Sequence, residues 1–283
     1  MAGLLSGLGD LGLDFLEKSD VFAEDEKKKE KSQEQQAKAA PVVKETDLIY
    51  DKEYVCPVCD KKFTAKIMKT GKAKLVATDF DLKPTYEGIE AGKYDVLLCG
   101  RCGYAALGQY FPTILPAQAK MIKENISKNV RLNYYNDETY SFDQALERYK
   151  LALANAVVKK AKISEKSYIC MKTAWVLRGY QDALKSKGEE EAKITSLKAQ
   201  EEEYLKNAYT GFLEAVQKEP FPICRMDQTT MDYLLAQLSF HFGEYDISAR
   251  MVQSILANPG TPARIKDKAR DLKEAILKVK QGQ

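Results

Sequence analysis

Three features of the sequence predict an α+β fold that is mostly α. Two CxxC pairs lie among short alternating runs near the front of the chain, within residues 47–115. From Pro116 onward, apolar residues recur at helical spacing. Ahead of both, residues 17–46 are rich in Glu, Lys, Gln and Ala and almost free of aromatics, a composition that cannot build a core.

The bulk numbers set the frame. A chain of 283 residues suits one large or two modest domains, and 45% hydrophobic with 30% charged residues is enough to bury a core. The formal net charge of +3 is too small to imply a nucleic-acid partner by itself. No apolar run approaches the roughly 18 residues that a spanning helix needs. The N-terminus is apolar but lacks an export signal's leading positive charge: the first basic residue is Lys18, and Asp10 and Asp14 interrupt the run. Ala2 excludes N-myristoylation. The expected location is cytoplasmic, and paired CxxC motifs there point to metal rather than to a disulfide framework.

Taken in order, residues 1–16 carry Leu4, Leu8, Leu11 and Phe15 as one apolar helical stripe, weakened by glycines. Residues 17–46 read as a charged flexible linker, so the first segment has the character of a docking motif on a tether. The helical part, 116–283, starts with Pro116 in a first turn and Ile122, Ile126 and Val130 on one face. Further helices are expected at 142–158, 164–186, 192–218, 228–242, 244–257 and 262–280, with Thr261 capping the last and Pro262 in its first position. Gly243, Tyr245, Ser248 and Pro259, with an earlier half-match at Ala145, Tyr149 and Ala152, resemble the tetratricopeptide helix-turn-helix. The spacing is one residue short and no clean period emerges, so an ordinary α-bundle remains the alternative to a tetratricopeptide-like stack of helical hairpins.

Chemistry concentrates in the cysteines. Cys56 and Cys59 lie in YVCPVCDKKF, and Cys99 and Cys102 in LCGRCGY. Each is a strand end, a tight CxxC turn and a small or polar residue, with backbone N–H groups aimed at the sulfurs. Gly103 stands where a positive φ is needed. Four thiolates complete a tetrahedral shell with no open position for substrate, which predicts structural Zn2+ in a small split zinc ribbon. Thiol exchange is the alternative, but neither pair opens a helix in a βαβ context. Between the pairs, Phe63, Ala65 and Ile67 alternate, Lys69-Thr70-Gly71-Lys72 turns, and Ala73, Leu75 and Ala77 alternate again, which predicts an inserted β-hairpin. A later strand at Tyr94–Leu98 returns the chain to Cys99. Cys170 and Cys224 read as buried apolar side chains.

At these residues the chain resembles a known family. CPVCDKKF, then TDFDLKPTYEGI, then KYDVLLCGRCGYAALGQYF are similar to the bacterial proteins grouped as domain-of-unknown-function family 2225, over about residues 50–280. The resemblance implies the four cysteines as a metal site, a helical tetratricopeptide-like C-terminal part and a Firmicutes-type cytoplasmic protein; it implies no activity. Asp79, Asp81, Pro84 and Tyr86 match the family's middle motif, and Tyr104 and Ala105 its second-knuckle motif.

Other signals carry less. Gly7-Leu8-Gly9-Asp10-Leu11-Gly12 satisfies GxGxxG without a preceding strand. His241 is the single histidine and is expected to pack or cap. Asp79 and Asp81 read as a polar turn before Pro84 rather than an acid/base pair. With a closed zinc shell and one histidine, no catalytic set emerges. The expected function is therefore a non-enzymatic scaffold whose helical groove binds a protein partner, braced by the ribbon. The segment 1–16 would dock on that groove or on a partner; its acidic flanks argue against a membrane surface. The alternative is nucleic-acid binding through Lys62, Lys66, Lys72 and Lys74 on one face of the hairpin. A tetrathiolate of about −2 would leave that ribbon near neutral.

Overall fold

The computed structural model describes residues 43–132, 137–188 and 191–282. The apolar segment 1–16, its GxGxxG run and the linker as far as residue 42 lie outside the described residues. Where the linker reading ends, Glu45–Leu48 form a 3-10 turn, fixed because Glu45 accepts from Tyr94 Oη at 2.8 Å and pairs with Lys93 Nζ at 2.6 Å.

Six short strands follow: β1 Ile49–Val55, β2 Lys62–Met68, β3 Leu75–Thr78, β4 Pro84–Tyr86, β5 Val96–Leu98 and β6 Ala105–Leu107. They form three antiparallel two-stranded sheets, β1–β2, β3–β4 and β5–β6. The hairpin expected between β2 and the strand after Lys72 does not form. The turn itself is present, with Gly71 at φ +71°, but β2 is already paired along its length with β1, from Ile49 opposite Met68 to Val55 opposite Lys62. The first CxxC turn is the hairpin connection, and it leads β1 into β2. β3 pairs instead with β4, and that hairpin is the insertion between the two cysteine pairs.

The helices are α1 Pro116–Ile122, α2 Phe142–Val158, α3 Ile163–Lys187, α4 Glu191–Lys218, α5 Gln228–His241, α6 Tyr245–Ala257 and α7 Ala263–Gln281. From α2 to α7 each helix packs on the next, so the fold is α+β, mostly α, with a helical stack behind the small sheets. Local chemistry sets the ends. Pro116 begins α1. Ser141 and Gln144 form a reciprocal capping box on α2, with Ser141 N–H donating to Gln144 Oε1 at 2.8 Å. Asp227 caps α5 by accepting Thr230 N–H at 2.8 Å, and α3 closes on Gly188 in the left-handed region.

The expected cap of the last helix is a correction. Pro262 is its N-cap, and buried Thr261 turns away from α7, its Oγ1 donating to Ile255 O at 3.0 Å. That bond satisfies a carbonyl near the end of α6, so Thr261 closes one helix rather than opening the next. Ser248, on α6, is fully buried against α5 and donates to Ala236 O at 2.8 Å, so small residues let these helices approach.

The main core lies between α3, α4 and α5, around Met171, Trp175, Leu205, Phe212, Met231 and Leu234. A second core joins α5, α6 and α7. Tyr149, Ala145 and Ala152 of α2 pack against Val96, Ala105 and Leu107, so α2 is the joint between sheets and stack. No helix among the described residues is long and apolar enough to cross a membrane.

Candidate metal centre

The two knuckles repeat one design. In the first, Cys56 N–H donates to Lys61 O at 2.9 Å and Asp60 N–H to Cys56 O at 2.8 Å; in the second, Cys99 N–H donates to Tyr104 O at 2.9 Å and Gly103 N–H to Cys99 O at 3.0 Å. The residue after each second cysteine is left-handed, Asp60 at φ 57° and Gly103 at φ 71°. The sulfur of each first cysteine accepts two N–H groups of its own turn, from Val58 and Cys59 at Cys56, and from Cys102 and Arg101 at Cys99. The strands β1–β2 and β5–β6 hold the two turns face to face.

This brings the four cysteines together. Their Sγ atoms all lie within 4.8 Å of one another, an arrangement that could hold a metal ion. Cys56 and Cys102 Sγ are 3.5 Å apart, and Cys59 and Cys99 Sγ 3.7 Å. Cys56, Cys99 and Cys102 are buried and Cys59 partly so. Hydrogen bonds from the Cys102 thiol, then the Cys56 thiol, hold Cys99 down to about 2, whereas hydrogen bonding to Cys56 and Cys99 and then burial push Cys102 far up. One thiolate is thus welcome in the cluster, and further negative charge needs a cation to offset it.

The surroundings are dry and tied to the helices. Tyr104 and Phe111 pack with ring centroids 4.8 Å apart and planes tilted by 34°, and Phe63 lies 5.5 Å from Phe111. Fully buried Tyr104 donates its hydroxyl to Phe111 O at 3.2 Å. Ser127 Oγ donates to Cys102 O at 2.8 Å, and Asn155 Nδ2, from α2, to Gly103 O at 2.9 Å. A Cβ at Gly103 would sit 2.7 Å from Val130 Cγ1, so the helical turn carrying Ile126 and Val130 closes directly over the knuckle.

The lysines are not brought onto one hairpin face. Lys62 and Lys66 lie on β2, where Lys62 pairs with Glu53 at 2.8 Å and Lys66 with Asp51 at 3.1 Å, both acids from β1. Lys72 and Lys74 lie in the connection from β2 to β3 and are exposed. Cys170 and Cys224 are buried as expected, and burial raises both thiols to about 11. His241 packs as expected, stacked on Phe80 at 5.4 Å, with Nε2 2.9 Å from Glu202.

The polar-turn reading of Asp79 and Asp81 misses a buried network. Asp81 is fully buried and takes both ends of the Arg178 guanidinium, Nη1 at 3.0 Å and Nη2 at 2.8 Å. Asp79 accepts from Nη1 at 2.9 Å, Glu201 from Nε at 2.7 Å, and Trp175 Nε1 donates to Asp81 at 3.0 Å. The loop between β3 and β4 is thereby bolted to α3 and α4. Nearby, Lys172 of α3 pairs with Asp95 at 2.8 Å and Lys83 with Glu90 at 2.9 Å.

No curated protein matches the chain, and no solved structure does. The family described as uncharacterized protein conserved in bacteria matches residues 49–276, a span that includes both knuckles and nearly all of the helical stack. The chain belongs to this family, domain-of-unknown-function family 2225.

Proposed function

We propose that the protein is a non-enzymatic interaction scaffold, with Zn2+ bound by Cys56, Cys59, Cys99 and Cys102 bracing its front and the helical stack receiving a protein partner. The observation that carries the reading is the sulfur geometry. A tetrahedral zinc tetrathiolate with bonds of about 2.3 Å has sulfur–sulfur edges of about 3.8 Å. The separations of 3.5 and 3.7 Å, and the 4.8 Å limit on the rest, are within a small shift of that shell. All four positions would be filled by protein, which leaves the ion a structural rather than a catalytic role.

The partner's place is argued from the stack. Two cavities of about 440 and 510 Å3 share Gln200 and together follow α2 and α4, floored by α3. Leu146, Leu153 and Val157 line one wall, Leu197 and Tyr204 the other, and Ile163 lies at the base. Val157 is 58% exposed and adds apolar surface to that wall. A groove of this form suits the apolar face of a partner helix.

Metal analysis of the purified full chain should give one zinc per molecule, lost in Cys99→Ser. Affinity purification from the native cell, with nuclease treatment, should recover a protein partner that a Leu153→Asp/Val157→Asp variant of normal stability no longer retains. A metal-free, fully folded protein would overturn the zinc reading. Nuclease-sensitive material alone would replace the scaffold with a nucleic-acid binder acting through Lys62, Lys66, Lys72 and Lys74.

A further inference from the structure

A third cavity, of about 470 Å3, opens where β2, the second knuckle and α2 meet. Lys62, Phe63 and Lys66 reach it from β2, Arg101 from the turn between Cys99 and Cys102, and Arg148 from α2. It is separate from the groove between α2 and α4 and from the sulfur cluster. Its size falls within the range of small-molecule sites, about 300–1,000 Å3.

The charges in it are unevenly satisfied. Asp51 pairs with Lys66, Lys62 with Glu53, and Asp137 accepts from Gln144 Nε2. Glu147, also in the lining, has a partner of its own. The two arginines do not. Neither Arg101 nor Arg148 belongs to any ion pair among the described residues, which contrasts with Arg178 and its three carboxylates. Arg148 is the telling one. Its guanidinium carbon lies 3.8 Å from the centre of the Tyr140 ring, and its Nη1 is buried without a hydrogen-bond partner among the described residues. Burial pushes its proton affinity down, and Tyr140 and Glu147 beside it offset that only in part. A buried cationic donor left open is costly unless something fills it.

The platform beneath Arg148 is fixed. Tyr140 Oη accepts Lys66 N–H at 3.0 Å, and Tyr140 N–H donates to Tyr94 Oη at 3.3 Å. The ring stacks on Tyr94 at 5.3 Å. The guanidinium is therefore held in place before any ligand arrives, which spares an incoming anion the cost of ordering it.

We infer that this cavity binds the phosphate group of a small phosphorylated molecule, with Arg148 and Arg101 as the charged donors. Two planar guanidinium forks call for an anion with more than two acceptor oxygens. A planar carboxylate presents two oxygens to one fork, whereas a tetrahedral phosphate presents further oxygens to a second. A polyanionic backbone fits less well, because Asp51 and Glu53 neutralise the lysines at the same site.

The test uses isothermal titration of the full-length, metal-loaded protein at fixed ionic strength. The probes are inorganic phosphate, adenosine 5′-monophosphate, acetate and a 20-nucleotide single-stranded RNA. Saturable binding of phosphate or the nucleotide, weakened at least tenfold in both Arg148→Gln and Arg101→Gln and partly restored in Arg148→Lys, supports the site. Arg101 is exposed, so Arg101→Gln keeps the test informative if Arg148→Gln does not fold. The proposal is overturned by no saturable binding of either phosphate probe, by acetate binding as tightly as phosphate, by RNA binding alone, or by affinity unchanged in Arg101→Gln.

Discussion

Arg178 has a side chain only 16% exposed and gives four hydrogen bonds to Asp79, Asp81 and Glu201. Removing one member of such a buried set leaves charge unpaired, so Arg178→Met is expected to cost about 3–5 kcal/mol. Arg178→Lys should recover little, because a point cation cannot serve both oxygens of Asp81 and reach Glu201 as well. Equilibrium urea unfolding measures both; a loss below about 1 kcal/mol in Arg178→Met would remove the network's claim on stability. None of this was legible in the sequence. Asp79 and Asp81 look like any acidic turn before a proline, because Arg178 lies 97 positions beyond Asp81 and no local pattern marks the pair. The cysteines were legible for the opposite reason: each turn is local, and ligand chemistry dictates its residues.

At the scale of elements, the repeated knuckle makes unequal demands at its two left-handed positions. Asp60, at φ 57°, tolerates that conformation as Asp often does, and it is exposed. Gly103 has both the positive φ and the side chain of Val130 against it. Gly103→Ala is therefore expected to destabilise by at least about 2 kcal/mol, from backbone strain and overpacking together. Asp60→Gly should stay within about 0.5 kcal/mol of the parent. Thermal unfolding of the metal-loaded variants compares them, and equal losses would show that the second knuckle is not packed against Val130. The helices from α2 onward were legible to within a residue or two, since their apolar faces, Gly243 and the stop at Pro259 are all local signals. The β2 pairing was not. Alternation says that a segment is a strand, not which neighbour it takes, and the connections on either side of β2, residues 56–61 and 69–74, are of equal length, so loop closure does not choose between the partners.

For the whole molecule, the cysteine cluster and the segment that leads to β5 are tied to the first helices of the stack, apart from the network that holds the β3–β4 loop. Asn155 holds Gly103 O, Tyr149 Oη donates to Gly92 O at 3.0 Å, and Lys172 holds Asp95. All three come from α2 and α3, whereas α5, α6 and α7 close around a core of their own. Losing the proposed metal should then act in a graded way. With the proposed Zn2+ removed, the thiols would stay crowded in a buried cluster with no cation to offset their ionisation, and the turns would lose what fixes them face to face. Local opening should follow in the sheets first and reach the α2 face that packs on β5 and β6, because Tyr149 and Ala152 there share one cluster with Val96, Ala105 and Leu107. Amide hydrogen exchange on the chelator-treated full chain is the measurement. Protection is expected to fall at least tenfold in β1, β2, β5 and β6, to fall less along α2, and to persist in α5 to α7. A uniform loss across all helices would mean instead that the ribbon and the stack unfold as one cooperative unit, and the bracing role would extend to the entire chain.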